Sequence, residues 1–144
     1  MPNAEIAPLG PQLVGNAGLY YCCYRLSLRG WNVMPTARNA RGVDIIAYNQ
    51  DASCFVAVQV KTLSKRDPVP LGTSLDKIMG DFWVVVTNVA ATSPSAFILL
   101  PAEVRAGAHT GRRDGRVSYW LQPRAYEQES FHEKWERITC RRPD

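Results

Sequence analysis

The strongest constraint in this sequence is a pair of apolar runs rich in β-branched residues, Val43 to Tyr48 and Cys54 to Thr62, separated only by the turn-forming stretch Asn49-Gln50-Asp51-Ala52-Ser53. Two extended runs so close in sequence predict an antiparallel hairpin. Alternation along the second run puts Cys54, Val56, Val58 and Val60 on one face and Phe55, Ala57, Gln59 and Lys61 on the other. The first set is the core side. A four-residue loop, Gln50 to Ser53, pairs Asn49 with Cys54, and counting back along both strands sets Asp44 opposite Gln59. A slip of one residue would undo that pairing.

Around the hairpin, Met1 to Gly15 reads as an irregular arm, because Pro2, Pro8 and Pro11 each remove a backbone donor. A helix is expected over about residues 17–29, capped by Asn16, striped by Leu19, Cys22, Cys23 and Leu26, and stopped by Gly30. Trp31 to Met34 reads as a strand ended by Pro35, before the basic loop from Thr36 to Gly42. Residues 63–81 read as a surface excursion with a short helix at Ser74 to Met79. Phe82 to Val89 and Ala96 to Leu100 are apolar enough for buried strands, and Pro101 suits the first turn of a short helix through Arg105. Ala106 to Arg116 reads as a loop, Val117 to Leu121 as an edge strand, and Tyr126 to Ile138 as a closing helix. The order predicts an α/β domain with a mixed sheet of about five strands flanked by helices. One domain, residues 1–144, is expected, with its core at 16–105 and a C-terminal loop and helix extension at 106–144.

A chain of 144 residues, 46% of them hydrophobic, can build a core without staples, so Cys22, Cys23, Cys54 and Cys140 need no bridging role. Zinc-ligand spacings are absent, since there is no CxxC pair and His109 and His132 stand far from any cysteine. No stretch reaches membrane-spanning length and no leader is evident, so a cytoplasmic, reduced protein without membrane contact is expected. The net charge of +4 is unevenly spread: residues 1–66 carry 7 basic and 3 acidic side chains, residues 67–144 carry 10 of each. Composition permits a polyanionic partner without selecting one.

Chemistry concentrates in Gly42-Val43-Asp44-Ile45-Ile46 and, 15 residues beyond the aspartate, Gln59-Val60-Lys61. A carboxylate and an amide oxygen on one strand face can share Mg²⁺, and a lysine beside them can orient a water or neutralise a phosphate. The same residues also suit the wet face of an ordinary strand. Arg38, Arg41, Lys65 and Arg66 flank this group and can contact phosphates or simply solvate a loop. Tyr20, Tyr21 and Tyr24 can stack on bases but read first as packing residues, and Trp83 as core. The cluster Arg112, Arg113 and Arg116, interrupted by Asp114, reads as exposed loop.

The run Gly18-Leu19-Tyr20-Tyr21-Cys22-Cys23, then Gly42-Val43-Asp44-Ile45-Ile46 and Val58-Gln59-Val60-Lys61-Thr62, resembles the PD-(D/E)XK nuclease superfamily, in particular its small endonuclease-like members. The resemblance covers roughly residues 15–62 and, more loosely, the strand at Phe82 to Val86 and the segment at Leu100 to Val104. It implies a restriction-endonuclease-like fold that hydrolyses phosphodiester bonds of nucleic acid, DNA above all, with Mg²⁺ or Mn²⁺. It further implies Asp44 and Gln59 as metal ligands, Lys61 as the water-positioning residue, and two copies pairing to cut two strands. In such families a Glu follows the helix glycine, and here that position is Leu19, in a helix with no acidic residue. A nuclease-fold module that binds DNA or a protein partner without cutting is the second expectation. Glu5, Asp51, Asp76, Asp81 and Glu103 are the carboxylates left to supply a further ligand.

Overall fold

The computed structural model describes residues 7–37 and 42–140. It is an α/β protein with a five-stranded mixed sheet and a separate three-stranded sheet. Helix α1 spans Pro11–Leu28, followed by β1 at Asn32–Pro35, β2 at Ile45–Tyr48 and β3 at Phe55–Thr62. Strand β4 at Val69–Gly72 and a 3-10 turn at Leu75–Lys77 lead to β5 at Phe82–Thr87 and β6 at Ser95–Leu99. Helix α2 at Pro101–Gly107, the hairpin of β7 at Ala108–Arg113 and β8 at Arg116–Leu121, the short α3 at Pro123–Tyr126 and a second 3-10 turn at Trp135–Arg137 complete the named elements. The large sheet has the order β1-β2-β3-β5-β6 and the small one β4-β8-β7.

The β2–β3 hairpin forms in the expected register, with Ile45↔Val58 and Tyr48↔Phe55 as its end pairs and Asn49 N–H donating to Cys54 O across the loop. β3 pairs in parallel with β5, and every other contact in the large sheet is antiparallel. β5 is buried at each position because both its faces are covered. On one face Val56, Val58, Val84 and Ile98 pack against Val14, Cys22 and Leu26 of α1 and against Trp135 and Ile138. On the other, Trp83, Val85, Phe97 and Leu99 meet Val69, Leu121, Val104 and Tyr126 from the small sheet, α2 and α3.

Several expectations change. α1 begins at Pro11, not near residue 17, because proline lacks only a donor that the first turn leaves unused anyway. Its buried stripe is Val14, Gly18, Cys22, Cys23 and Leu26, so Leu19 moves to the margin of the packed face. The surface excursion contains β4, and the Gly/Arg-rich stretch from Ala106 to Arg116 is mostly strand β7; β8 is the centre of its sheet, not an edge. The closing helix is absent. Beyond Tyr126 the chain instead runs along the open edge of β6: Ile98 N–H donates to Phe131 O and Glu133 N–H to Ala96 O, which satisfies backbone groups that a helix would leave bare. Glu133, at φ 53°, accepts from Ala96 N–H and from Trp135 Nε1, and Arg137 pairs with both Glu103 oxygens at 2.7 and 2.9 Å.

Cys54 and Cys140 form a disulfide across 86 residues, contrary to the expectation that no cysteine needs a bridge. It ties the end of the C-terminal segment to the start of β3. Cys22 and Cys23 are free thiols, and burial pushes both up, Cys22 strongly, in keeping with packing residues and not nucleophiles. No helix among the described residues is long and apolar enough to cross a membrane.

Candidate functional site

The N-terminal half of α1, the β1–β2 connection and the C-terminal end of β3 enclose a cleft of ≈ 470 Å³. α1 contributes Gln12, Asn16, Leu19 and Tyr20, the connection Thr36 and Asp44, and β3 Lys61 and Thr62. The helix can lie this close because Gly18 faces Thr62 with no side chain between them. Gly42 precedes Asp44 at φ 75°, and a Cβ there would strike the Met79 side chain at Sδ and Cγ, so a side chain at this position would be strained and would displace Met79.

Asp44 is held by its backbone first. Thr36 N–H donates to Asp44 O and Asp44 N–H donates to Val58 O, both at 2.9 Å. Val58 is also the partner of Ile45, the last pair of the β2–β3 ladder, so Asp44 is held just beyond the end of that ladder. The paired register therefore ends at Ile45↔Val58, short of the Asp44–Gln59 opposition expected by counting. Asp44 Oδ2 instead accepts Val60 N–H at 2.7 Å, and the carboxylate lines the cleft.

Lys61 reaches the same cleft, with its Nζ 5.7 Å from the centroid of the Trp83 ring. Trp83 is buried as expected, and its indole is fixed by donation to Met79 O at 3.0 Å, so it forms a rigid floor under the ammonium. Gln59 does not line the cleft. It stands beside Trp83 in the parallel register, and its Oε1 is buried without a hydrogen-bond partner among the described residues. Buried acceptors are normally satisfied, so Gln59 Oε1 is an oxygen in want of a donor or a cation.

Of the four basic residues expected to flank the site, Arg38 and Arg41 lie outside the described residues. Lys65 is exposed, and Arg66 pairs with Glu127 and lines a different groove with His109 and Arg124. Glu5 also lies outside the described residues. Asp51 accepts from Ser53 in the β2–β3 turn, Asp81 accepts Ala57 N–H, and Glu103 is engaged with Arg137 and Leu100 N–H. Among the described residues Asp44 is the one carboxylate lining the cleft. Mg²⁺ keeps several waters and commonly takes one or two carboxylates plus substrate phosphates, so Asp44 fits an ion shared with a phosphate.

Sequence reasoning missed Gln12, which it left in an irregular arm, and Thr36 and Thr62 as cleft-lining hydroxyls. Pro11 is the signal that would have found Gln12, since proline is favoured at the first helical position. Compared with family models, with curated proteins and with solved structures, the chain finds no match in any of the three.

Proposed function

We propose that this chain is a metal-dependent nuclease-like protein of PD-(D/E)XK type that acts on the phosphodiester backbone of nucleic acid, DNA in the first instance. One observation supports the reading above others: Asp44 and Lys61, singled out in the sequence for complementary roles, line one cleft although a hairpin turn lies between them. The positive end of Lys61 meets a phosphate oxygen, and its seat on Trp83 keeps the ammonium from swinging into solvent. Asn16, Gln12 and Thr62 offer hydrogen bonds to the backbone, and Tyr20, 63% exposed on the rim, offers a ring face to a base. Mg²⁺ or Mn²⁺, held by Asp44 and shared with a substrate phosphate, would supply an acidified water and charge neutralisation; Gln59, expected as second ligand, stands outside the cleft.

A second reading, a nuclease-fold module that binds DNA or a protein partner without cutting, is favoured by Leu19. It occupies the cleft wall where the family's second carboxylate would stand. Incubation of supercoiled and single-stranded DNA with Mg²⁺ or Mn²⁺ separates the two. The nuclease reading expects cleavage that Asp44→Asn and Lys61→Ala each abolish, and cleavage surviving both changes removes this cleft as the site. Retained DNA binding with no cleavage, weakened by Lys61→Ala, selects the binding module. In that case Leu19→Glu is expected to tighten Mn²⁺ binding measured by calorimetry.

A further inference from the structure

The arginine cluster that reads as exposed loop in the sequence is built into the β7–β8 hairpin. Directly opposed pairs point to one face, so His109↔Trp120, Gly111↔Ser118 and Arg113↔Arg116 share a side. The opposite side carries Leu121 and Ala108, which pack into the core with Val69 of β4. The first face is therefore the outer one. It runs roughly 14 Å from His109 to Arg113, four residues at ~3.4 Å each.

We propose that this outer face binds single-stranded nucleic acid, with a base stacked on Trp120 and phosphates paired with Arg113 and Arg116. Trp120 is 37% exposed, an unusual place for the largest side chain in a chain with a well-filled core. Its orientation is fixed, because Nε1 donates to Ser118 Oγ at 3.0 Å and the ring edge lies over Gly111, where a Cβ would stand 3.6 Å from Nε1. A ring fixed by that hydrogen bond beside a residue without a side chain, and exposed to solvent, is a ready platform for stacking.

Charge supplies the second argument. Arg113 and Arg116 are direct cross-strand partners, and like charges so placed repel. Neither makes an ion pair or side-chain hydrogen bond among the described residues, and the nearby Asp114 lies in the turn between them. At the other end of the face, His109 opens onto the groove lined by Arg66 and Arg124, where Glu127 is already taken by Arg66. A chain of phosphates relieves the arginine repulsion along the whole length, and its bases use the indole. An acidic peptide would relieve only the first. Duplex DNA keeps its bases stacked on one another and leaves Trp120 without a partner.

This surface is separate from the Asp44 cleft, and its basis is the hairpin alone. The test is fluorescence anisotropy of the full chain with a labelled oligothymidylate of about twelve nucleotides, a length within the usual span of such sites. A duplex of equal length and polyglutamate serve as competitors. Trp120→Ala is expected to weaken oligothymidylate binding roughly 5- to 150-fold while Trp120→Phe keeps most of it. Replacing both Arg113 and Arg116 by Gln should flatten the slope of log affinity against log salt by about 1.4, or about 0.7 for each phosphate no longer neutralised. Affinity unchanged in Trp120→Ala overturns the proposal. So does tighter binding of duplex or of polyglutamate than of oligothymidylate. Asp44→Asn reports on the cleft and Trp120→Ala on the hairpin, so either reading can fail without the other.

Discussion

Gly18 marks the closest approach of α1 to the large sheet, and replacing it with alanine puts the packing of helix on strand under direct test. A Cβ at this position would overlap Thr62 Oγ1 and fall 2.5 Å from Cγ2 and 2.6 Å from Cβ. Rotation of Thr62 about its side-chain bond clears the first two atoms. It cannot move its own Cβ, so the helix and strand must separate. In an isolated helix the change would be favourable by about 1 kcal/mol. Overpacking costs typically about 1–3 kcal/mol and sometimes more, and a clash that includes a backbone-anchored carbon belongs at the upper end. The net expectation is a loss of about 2 kcal/mol, read in urea unfolding, with a melting temperature lower by about 4–8 °C. Thr62→Gly removes the obstructing carbon, so in a double-mutant cycle the two changes should couple favourably by about 1 kcal/mol or more. Since Thr62 also lines the cleft, Gly18→Ala should widen it and weaken any ligand held there. If Gly18→Ala is as stable as the parent and shows no coupling to Thr62, α1 does not lie on β3 in this way.

Other residues make separate predictions. Asp44→Ala strands the Val60 amide and should cost about 1–3 kcal/mol, whereas Asp44→Asn retains an acceptor and should stay within about 1 kcal/mol of the parent; equal losses in urea would mean the carboxylate does not hold that amide. Burial pushes the Tyr126 phenol up to about 12, and its hydroxyl donates to Asp67 O at 2.7 Å. The unfolded phenol ionises near pH 10, so its contribution is intact below that value and falls by up to about 2–3 kcal/mol as pH rises from about 10 to about 12. Urea midpoints at about pH 9 and about pH 11 should diverge in the parent and much less in Tyr126→Phe, and equal divergence in both would assign the effect elsewhere. Cys54 and Cys140 close a loop of 86 residues, for which chain entropy gives about 4–5 kcal/mol and measured disulfides more often about 2–4 kcal/mol. Dithiothreitol, or serine at both positions, should lower the urea midpoint accordingly, and an unchanged midpoint would show that the bridge does not form.

The hairpin was legible because two β-branched runs around a polar turn leave few alternatives, and its register followed from loop length. The buried strands β5 and β6 were legible for a similar reason: a short apolar run bounded by turn residues has one use in an α/β protein. The last part of the chain was not. Tyr126 to Ile138 has the spacing of an amphipathic helix, yet the exposed edge of β6 offers its backbone better partners, and nothing in the segment itself records that edge. β7 was hidden by its glycine and arginines, which read as loop until β8 stands beside them.

The candidate site divides along the same line. Asp44, Gln59 and Lys61 stood out in the sequence because their residue types and strand alternation limit what they can do. Their arrangement was decided where the β2–β3 pairing stops: Asp44, just beyond the last pair, bonds to Val60 N–H and lines the cleft with α1, while Gln59 stands half-buried beside Trp83. Local pattern determines which faces are apolar and which residues carry chemistry, because side-chain alternation is a property of the strand alone. Which of those residues meet, and which arginines gather around an exposed tryptophan, depends on contacts between distant segments, and those are made only when the chain is packed.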